Sequence, residues 1–170
     1  MITLYRMGAQ WTYRVNGSQE LVLKIEEASV KNDRYYFILN GYMNGNVAQQ
    51  QRMYIYNEEI YLYEANGMVI EPEQLFFRSK VKDNDFWTWE GRTGMNRIKM
   101  SSIVNGSKEI TVLNKLVNVY HIETKVDMGV QGAMSINRHF SKELGVVKEE
   151  TLLKMNNQEK KIVSELVVYK

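Results

Sequence analysis

The chain has 170 residues, with 22 Lys and Arg against 20 Asp and Glu and no cysteine. A chain of this length forms one domain that buries roughly 70% of its unfolded surface, so it needs no staple to hold a core. The absence of Cys excludes disulfides, thiol catalysis and Cys-ligated zinc, and scattered, nearly balanced charge counts against a nucleic-acid footprint.

The N-terminus, Met1-Ile2-Thr3-Leu4-Tyr5-Arg6, lacks the basic, apolar and small-residue succession of a secretory leader. Gly8 to Val15 then carries Trp11-Thr12-Tyr13, whose alternation places two aromatics on one face of a strand. Asn16-Gly17-Ser18 turns the chain into Leu21 to Glu26, and Lys31-Asn32-Asp33 turns it again into Arg34 to Leu39. Asn40-Gly41 and Asn44-Gly45 read as positions of positive φ. Arg52 to Tyr56 and Ile60 to Glu64, joined by Asn57-Glu58-Glu59, read as a hairpin.

The single proline, Pro72, reads as a corner between two halves, because it cannot donate within a central strand. After it come Leu75 to Phe77, the polar loop Lys82 to Asp85, and a second aromatic strand, Trp87-Thr88-Trp89. Arg97 to Val104, Glu109 to Leu113 and Val117 to Val126 read as strands, with Asn105-Gly106-Ser107 as the turn between the first two. Ala133 to Phe140, Gly145 to Lys148, Thr151 to Met155 and Lys161 to Tyr169 complete the chain, and only the region of Glu143 offers a helical turn. The longest apolar runs, Met68-Val69-Ile70 and Leu166 to Tyr169, are too short to span a bilayer.

Three matches recur in order: Trp11-Thr12-Tyr13 with Trp87-Thr88-Trp89, Asn16-Gly17-Ser18 with Asn105-Gly106-Ser107, and Arg52-Met53-Tyr54 with Arg138-His139-Phe140. They predict one mainly β domain over 1–170, a curved antiparallel sheet or partly open barrel with little helix. Its two related meanders, 8–72 and 83–169, would bury their apolar faces together.

Tyr54, Tyr56, Tyr61 and Tyr63 form an aromatic cluster suited to a sugar, a lipid headgroup or a partner peptide, although cross-strand aromatic pairs already stabilise a hairpin by themselves. Eight of the ten methionines are spread along the chain from Met43 to Met155, a distribution that reads as core filling rather than one groove. His121 and Glu123 share a strand face, but one His-x-Glu pair falls short of a metal site, and a solvent-facing strand accounts for it. Glu64, Glu90, Asp83 and Asp85 lie in or beside aromatic strands and are the candidates for paired carboxylates. No Gly-x-Ser-x-Gly elbow or phosphate-cradling Gly loop is present. The Asn-Gly-Ser sequences at Asn16 and Asn105 have the form of glycosylation sequons and read as turns.

Gly8 to Val15, Trp87-Thr88-Trp89-Glu90-Gly91, Phe140 to Lys148 and Ser164-Glu165-Leu166 resemble the Gly-x-x-Trp-x-Tyr, Trp-x-Trp-Glu-Gly and aromatic-x-Lys-x-x-Gly-x-Val-Lys signatures of poorly characterised extracytoplasmic lipoprotein-like domains of Gram-positive bacteria. The likeness runs from Gly8 to Tyr169, but the chain reads Glu143-Leu144-Gly145 where that family has Gly-Val-Gly, and it carries no lipobox. It implies an extracytoplasmic, cell-surface location, with a lipid anchor outside this chain, and brings no catalytic residues. The curved sheet is also similar to the half-barrels of periplasmic lipoprotein carriers, an analogy of fold alone.

The first functional reading is therefore a non-catalytic cell-envelope binding module for an apolar or lipid-like small molecule or a protein partner, with no cofactor and no metal. Tyr54, Tyr56, Tyr61, Tyr63, Trp87 and Trp89 are its expected ligand-binding residues, and an exposed strand edge is a second route to a partner. The alternative is a carbohydrate- or cell-wall-active hydrolase using a carboxylate pair.

Overall fold

The computed structural model describes residues 4–170; of the stretch read against a secretory leader, Met1, Ile2 and Thr3 lie outside the described residues. Twelve strands follow one another: β1 (Gln10–Val15), β2 (Gln19–Lys31), β3 (Arg34–Met43), β4 (Asn46–Tyr56), β5 (Glu59–Ala65), β6 (Met68–Arg78), β7 (Phe86–Thr93), β8 (Asn96–Val112), β9 (Lys115–Asp127), β10 (Ala133–Ser141), β11 (Gly145–Met155) and β12 (Gln158–Tyr169). The only helical element among the described residues is a single 3-10 turn, Gly129–Gln131.

Each strand pairs antiparallel with the next, and β12 returns to β1, so the sheet closes into an up-and-down barrel. Trp11 lies opposite Tyr169 and Val15 opposite Ser164. The Gln10 and Lys170 amides each donate to the other's carbonyl, at 3.0 and 2.9 Å. Closure corrects the expectation of a curved sheet or partly open barrel. It also removes the exposed edge proposed for a partner, because every strand has two neighbours.

Alternation assigns the faces. Trp11, Tyr13, Phe37, Leu39, Met53, Ile55, Ile60, Leu62, Trp87 and Trp89 belong to one buried cluster inside the barrel. Each large aromatic there buries enough apolar surface to contribute about 4–6 kcal/mol before ordering costs. The outer wall carries ion pairs, among them Lys148 with Glu165 at 3.1 Å and Lys161 with Glu150 at 3.2 Å. A charged wall of this kind is unlike the apolar band that a membrane barrel turns to lipid, and among the described residues no helix is long and apolar enough to cross a membrane.

Three local expectations are corrected. Pro72 lies within β6 rather than at a corner. Its missing N–H coincides with the sparsest pairing in the barrel, since β6 and β7 share only Ile70 with Thr93 and Glu71 with Arg92. Asn40-Gly41 is strand, and Gly41 keeps its place because a Cβ would stand 2.4 Å from Gln49 Cγ; the turn is Asn44-Gly45, with φ of 52° and 78°. Asn105-Gly106 is a bulge inside β8, where the register shifts between Val104 and Ser107, whereas Asn16-Gly17-Ser18 is the β1–β2 turn.

Candidate functional site

The barrel interior holds a cavity of about 210 Å³. Its apolar wall comes from Trp11 of β1, Leu21 and Leu23 of β2, Met53 of β4, Ile60 of β5 and Phe76 of β6. Gln49, Gln51, Ser164, Arg138 and Glu149 supply the polar groups. Arg138 Nε donates to Glu149 Oε2 at 2.6 Å, with the guanidinium side chain 14% and the carboxylate side chain 31% exposed. The guanidinium also lies over the Phe76 ring, 5.1 Å from its centre, so the charge is held by a carboxylate and a π face together.

The two ends of the chain position this site. Trp11 Nε1 donates to the Leu144 carbonyl at 2.8 Å, and the Tyr13 hydroxyl donates to the Val146 carbonyl at 2.7 Å. Gly145, between those carbonyls, has a φ of 77°, and a Cβ there would come 3.6 Å from Trp11 Nε1. The stretches Gly8 to Tyr13 and Phe140 to Lys148 thus meet in space. The aromatic polar atoms bond the β10–β11 turn and the start of β11 instead of being stranded in the interior. Burial pushes the Tyr5 and Tyr13 hydroxyls well above the ordinary tyrosine value.

The six expected binding residues separate into two sets on opposite faces. Trp87 and Trp89 point inward but do not line the cavity. Arg78 lies over Trp87 at 5.7 Å, while Trp89 Nε1 donates to the Pro72 carbonyl at 3.0 Å. Tyr54, Tyr61 and Tyr63 stand on the outer wall beside Tyr36, with Tyr54 and Tyr61 stacked at 5.0 Å. Arg34 covers the Tyr54 ring at 4.7 Å and also contacts Tyr56 at 5.6 Å. The faces of Tyr54 are therefore taken by protein groups. Its hydroxyl donates to Glu73, and that of Tyr61 donates to Glu59 at 2.6 Å. Burial, reinforced by the acceptor, raises the Tyr54 hydroxyl and pushes Tyr61 up to about 12.

The carboxylates considered for hydrolysis do not converge on the cavity. Glu64 faces Arg52 at 3.1 Å, Glu90 lies 3.7 Å from both Arg97 and Lys99, and Asp85 accepts the Lys82 amide at 2.8 Å. Asp83 stands in the same β6–β7 loop as Asp85. Glu149 is the carboxylate that lines the cavity. His121 Nε2 is 3.2 Å from Asn137 Oδ1 and stacks on His139 at 5.3 Å, whereas Glu123 is engaged by Lys125 and Asn105. Among the described residues no group of three or more His, Asp or Glu could hold a metal.

Sequence reasoning missed Arg138 and Glu149 as a site. The available signal was a cation at the middle of the alternating series Ile136, Arg138, Phe140, whose flanking members are buried.

The chain matches no protein-family model and no curated protein. Its fold is similar to that of a Bacteroides fragilis protein provisionally named as exported and of YmcC-like fold, with a TM-score of 0.59 and 12% identity over 97% of this chain and 96% of that one. A Parabacteroides distasonis protein provisionally named a lipoprotein gives 0.57 and 13% over the same shares. Identities this low establish a shared architecture alone.

Proposed function

We propose that this chain is a non-catalytic binding module of the cell envelope that holds a small amphipathic molecule in the barrel interior. The observation that carries this reading is the cavity itself, an apolar chamber with one shielded ion pair, Arg138 and Glu149, on its wall. Such a site takes an apolar body against Leu23, Met53 and Phe76 and an anionic or hydrogen-bonding head against Arg138 and Gln51. Its volume of about 210 Å³ lies below the ~300–1,000 Å³ of pockets for drug-sized ligands. The occupant is therefore a short molecule or the end of a longer one, not a whole acyl chain.

Two exported or lipoprotein-named proteins with the same architecture support the envelope location. Non-denaturing mass spectrometry of the purified protein tests the site. A bound mass that disappears in Leu23→Phe, while circular dichroism stays unchanged, is the expected result. An empty protein that takes up none of a series of short-chain carboxylates overturns the reading.

We further propose that β1–β6 and β7–β12 are duplicated halves. Trp11-Thr12-Tyr13 in β1 and Trp87-Thr88-Trp89 in β7 lie six strands apart, and their aromatics all belong to the buried interior. Strands β4 and β10, also six apart, each carry a register shift toward the following strand, between Arg52 and Met53 and between His139 and Phe140. The β2–β3 and β8–β9 pairs likewise both contain one.

A further inference from the structure

An up-and-down barrel sorts its turns onto two rims, and here the rims differ in kind. One rim collects the turns between β1 and β2, β3 and β4, β5 and β6, β7 and β8, β9 and β10, and β11 and β12. These read Asn16-Gly17-Ser18, Asn44-Gly45, Asn66-Gly67, Gly94-Met95, Met128 to Gly132, and Asn156-Asn157, without one charged residue. The opposite rim carries Asp33, Glu58, Lys80, Lys82, Asp83, Asp85, Lys142 and Glu143 in its turns.

Both rims expose apolar side chains, Val30, Tyr56, Phe86 and Leu116 at the charged one, but the uncharged rim carries them on tips without charge. Met95 and Val130 are fully exposed, and Val47, Met68, Val69 and Met155 are exposed beside them. Met43, Met68, Met95, Met128 and Met155, which looked scattered along the chain, each belong to a different hairpin of this one rim. The tips adjoin in an arc. A Cβ on Gly94 would lie 3.9 Å from Met68 Sδ, Gln131 Nε2 donates to Asn96 Oδ1 at 2.8 Å, and a Cβ on Gly132 would lie 3.2 Å from Met155 Cγ.

Just behind the arc, the outer wall of β8 to β11 is hollowed into a trough of about 410 Å³, lined by Ser101, Ala133, Ser135 and Leu152 and edged by Lys99, Lys125 and Lys154. Asp127 also borders it. The three ammonium groups meet Glu90, Glu123 and Glu159 at 3.3–3.7 Å. At exposures of 62–73% on the lysine side such pairs hold weakly and leave the cations free to exchange partners.

We propose that this rim is a docking surface for an anionic phospholipid bilayer. Met95, Val130 and their neighbours enter the interfacial layer, and Lys99, Lys125 and Lys154 sit among the lipid phosphates. A bilayer demands this ordering along one axis, uncharged tips first and cations behind them. The spacing fits as well. Lys99 follows Met95 by four residues, about 13 Å of strand and about 10 Å once strand tilt is allowed for, which matches the roughly 5–10 Å to which interfacial segments penetrate.

Co-sedimentation with vesicles of phosphatidylglycerol and phosphatidylethanolamine, set against phosphatidylcholine alone, tests the proposal on the intact chain. The protein is expected to partition onto the anionic vesicles and to be released by salt. Met95→Asp with Val130→Asp should weaken binding by about tenfold, and replacing Lys99, Lys125 and Lys154 by Ala by about fivefold each. Because Met95 and Val130 are fully exposed, those variants should keep the wild-type circular dichroism. Val30→Asp, exposed near the charged rim, should bind as the wild type does. Absence of binding to anionic vesicles, tip variants that bind normally, or an equal loss with Val30→Asp overturns the proposal, as does a rim that captures only a protein.

Discussion

Trp89 donates its indole N–H to the carbonyl of Pro72 at 3.0 Å, across the one seam of the barrel where only two residue pairs hold neighbouring strands together. The ring runs forward along β7 over Gly91, where a Cβ would stand 2.3 Å from Trp89 Cζ2 and 2.6 Å from the Glu71 carbonyl. A side chain here replaces the ladder that Pro72 interrupts. Trp89→Phe leaves the Pro72 carbonyl without its donor and should cost about 1–3 kcal/mol. Gly91→Val drives a branched side chain into the indole and should cost a similar about 1–3 kcal/mol. Urea denaturation midpoints measure both, and a Gly91→Val protein as stable as the wild type would show that the indole has room to move.

The Arg138 and Glu149 pair makes an asymmetric prediction. Arg138→Met strands a carboxylate in the barrel interior and should destabilise the fold by about 2–4 kcal/mol, somewhat less than for a fully buried pair because Glu149 is partly open to solvent. Combining it with Glu149→Leu removes both charges and should recover most of that loss. A double-mutant cycle in urea reads the coupling, and strictly additive losses would mean that the pair contributes nothing as a pair.

Acid should loosen the protein through His139. Burial, with Lys108, His121 and Lys148 nearby, holds this imidazole below its ordinary value of 6.5. The unfolded chain therefore binds the extra proton first. The stability contributed by the neutral ring is complete above pH 6.5 and is lost as pH falls through the lower folded value. Glu26, held low by Tyr42 and Asn40, Glu58 by Lys80, and Glu150 by Lys161 act only below their usual 4.5. A decline in urea midpoint as pH falls below 6.5, ahead of the carboxylates, should thus disappear in His139→Gln, and its persistence there would assign the decline elsewhere.

Alkali should find the tyrosines slow to ionise. Burial raises Tyr5, Tyr13 and Tyr54, and Tyr61 is pushed up to about 12. These groups stay protonated in the fold beyond the ordinary value of 10, so the stability they contribute is present below pH 10 and is lost above it. Ultraviolet titration should show fewer tyrosinates in native than in urea-unfolded protein at about pH 11. Coincident curves would contradict the burial of these hydroxyls.

Much of the β architecture was legible because the turn residues announce it: Asn57 and Asn44-Gly45 adopt the positive φ that their chemistry favours. Closure was not legible, since the pairing of Trp11 with Tyr169 joins opposite ends of the chain and leaves no local mark. Sidedness failed at Arg52-Met53-Tyr54-Ile55-Tyr56, where both alternate sets are large and apolar enough to fill a core, and only the packing of Met53 and Ile55 inside decides. The Asn105-Gly106 error has the same origin, because a bulge and a turn ask for the same residues.

The pairing of β1 with β12 sets an order on biosynthesis. During synthesis the margin of β1 that faces β12 has nothing to bond until β12 has emerged. Closure is thus the most sequence-distant event in folding, a slow step that leaves the nascent chain open to self-association. The charged residues Lys160, Lys161 and Glu165 near that final margin keep the last segment hydrated until β1 accepts it.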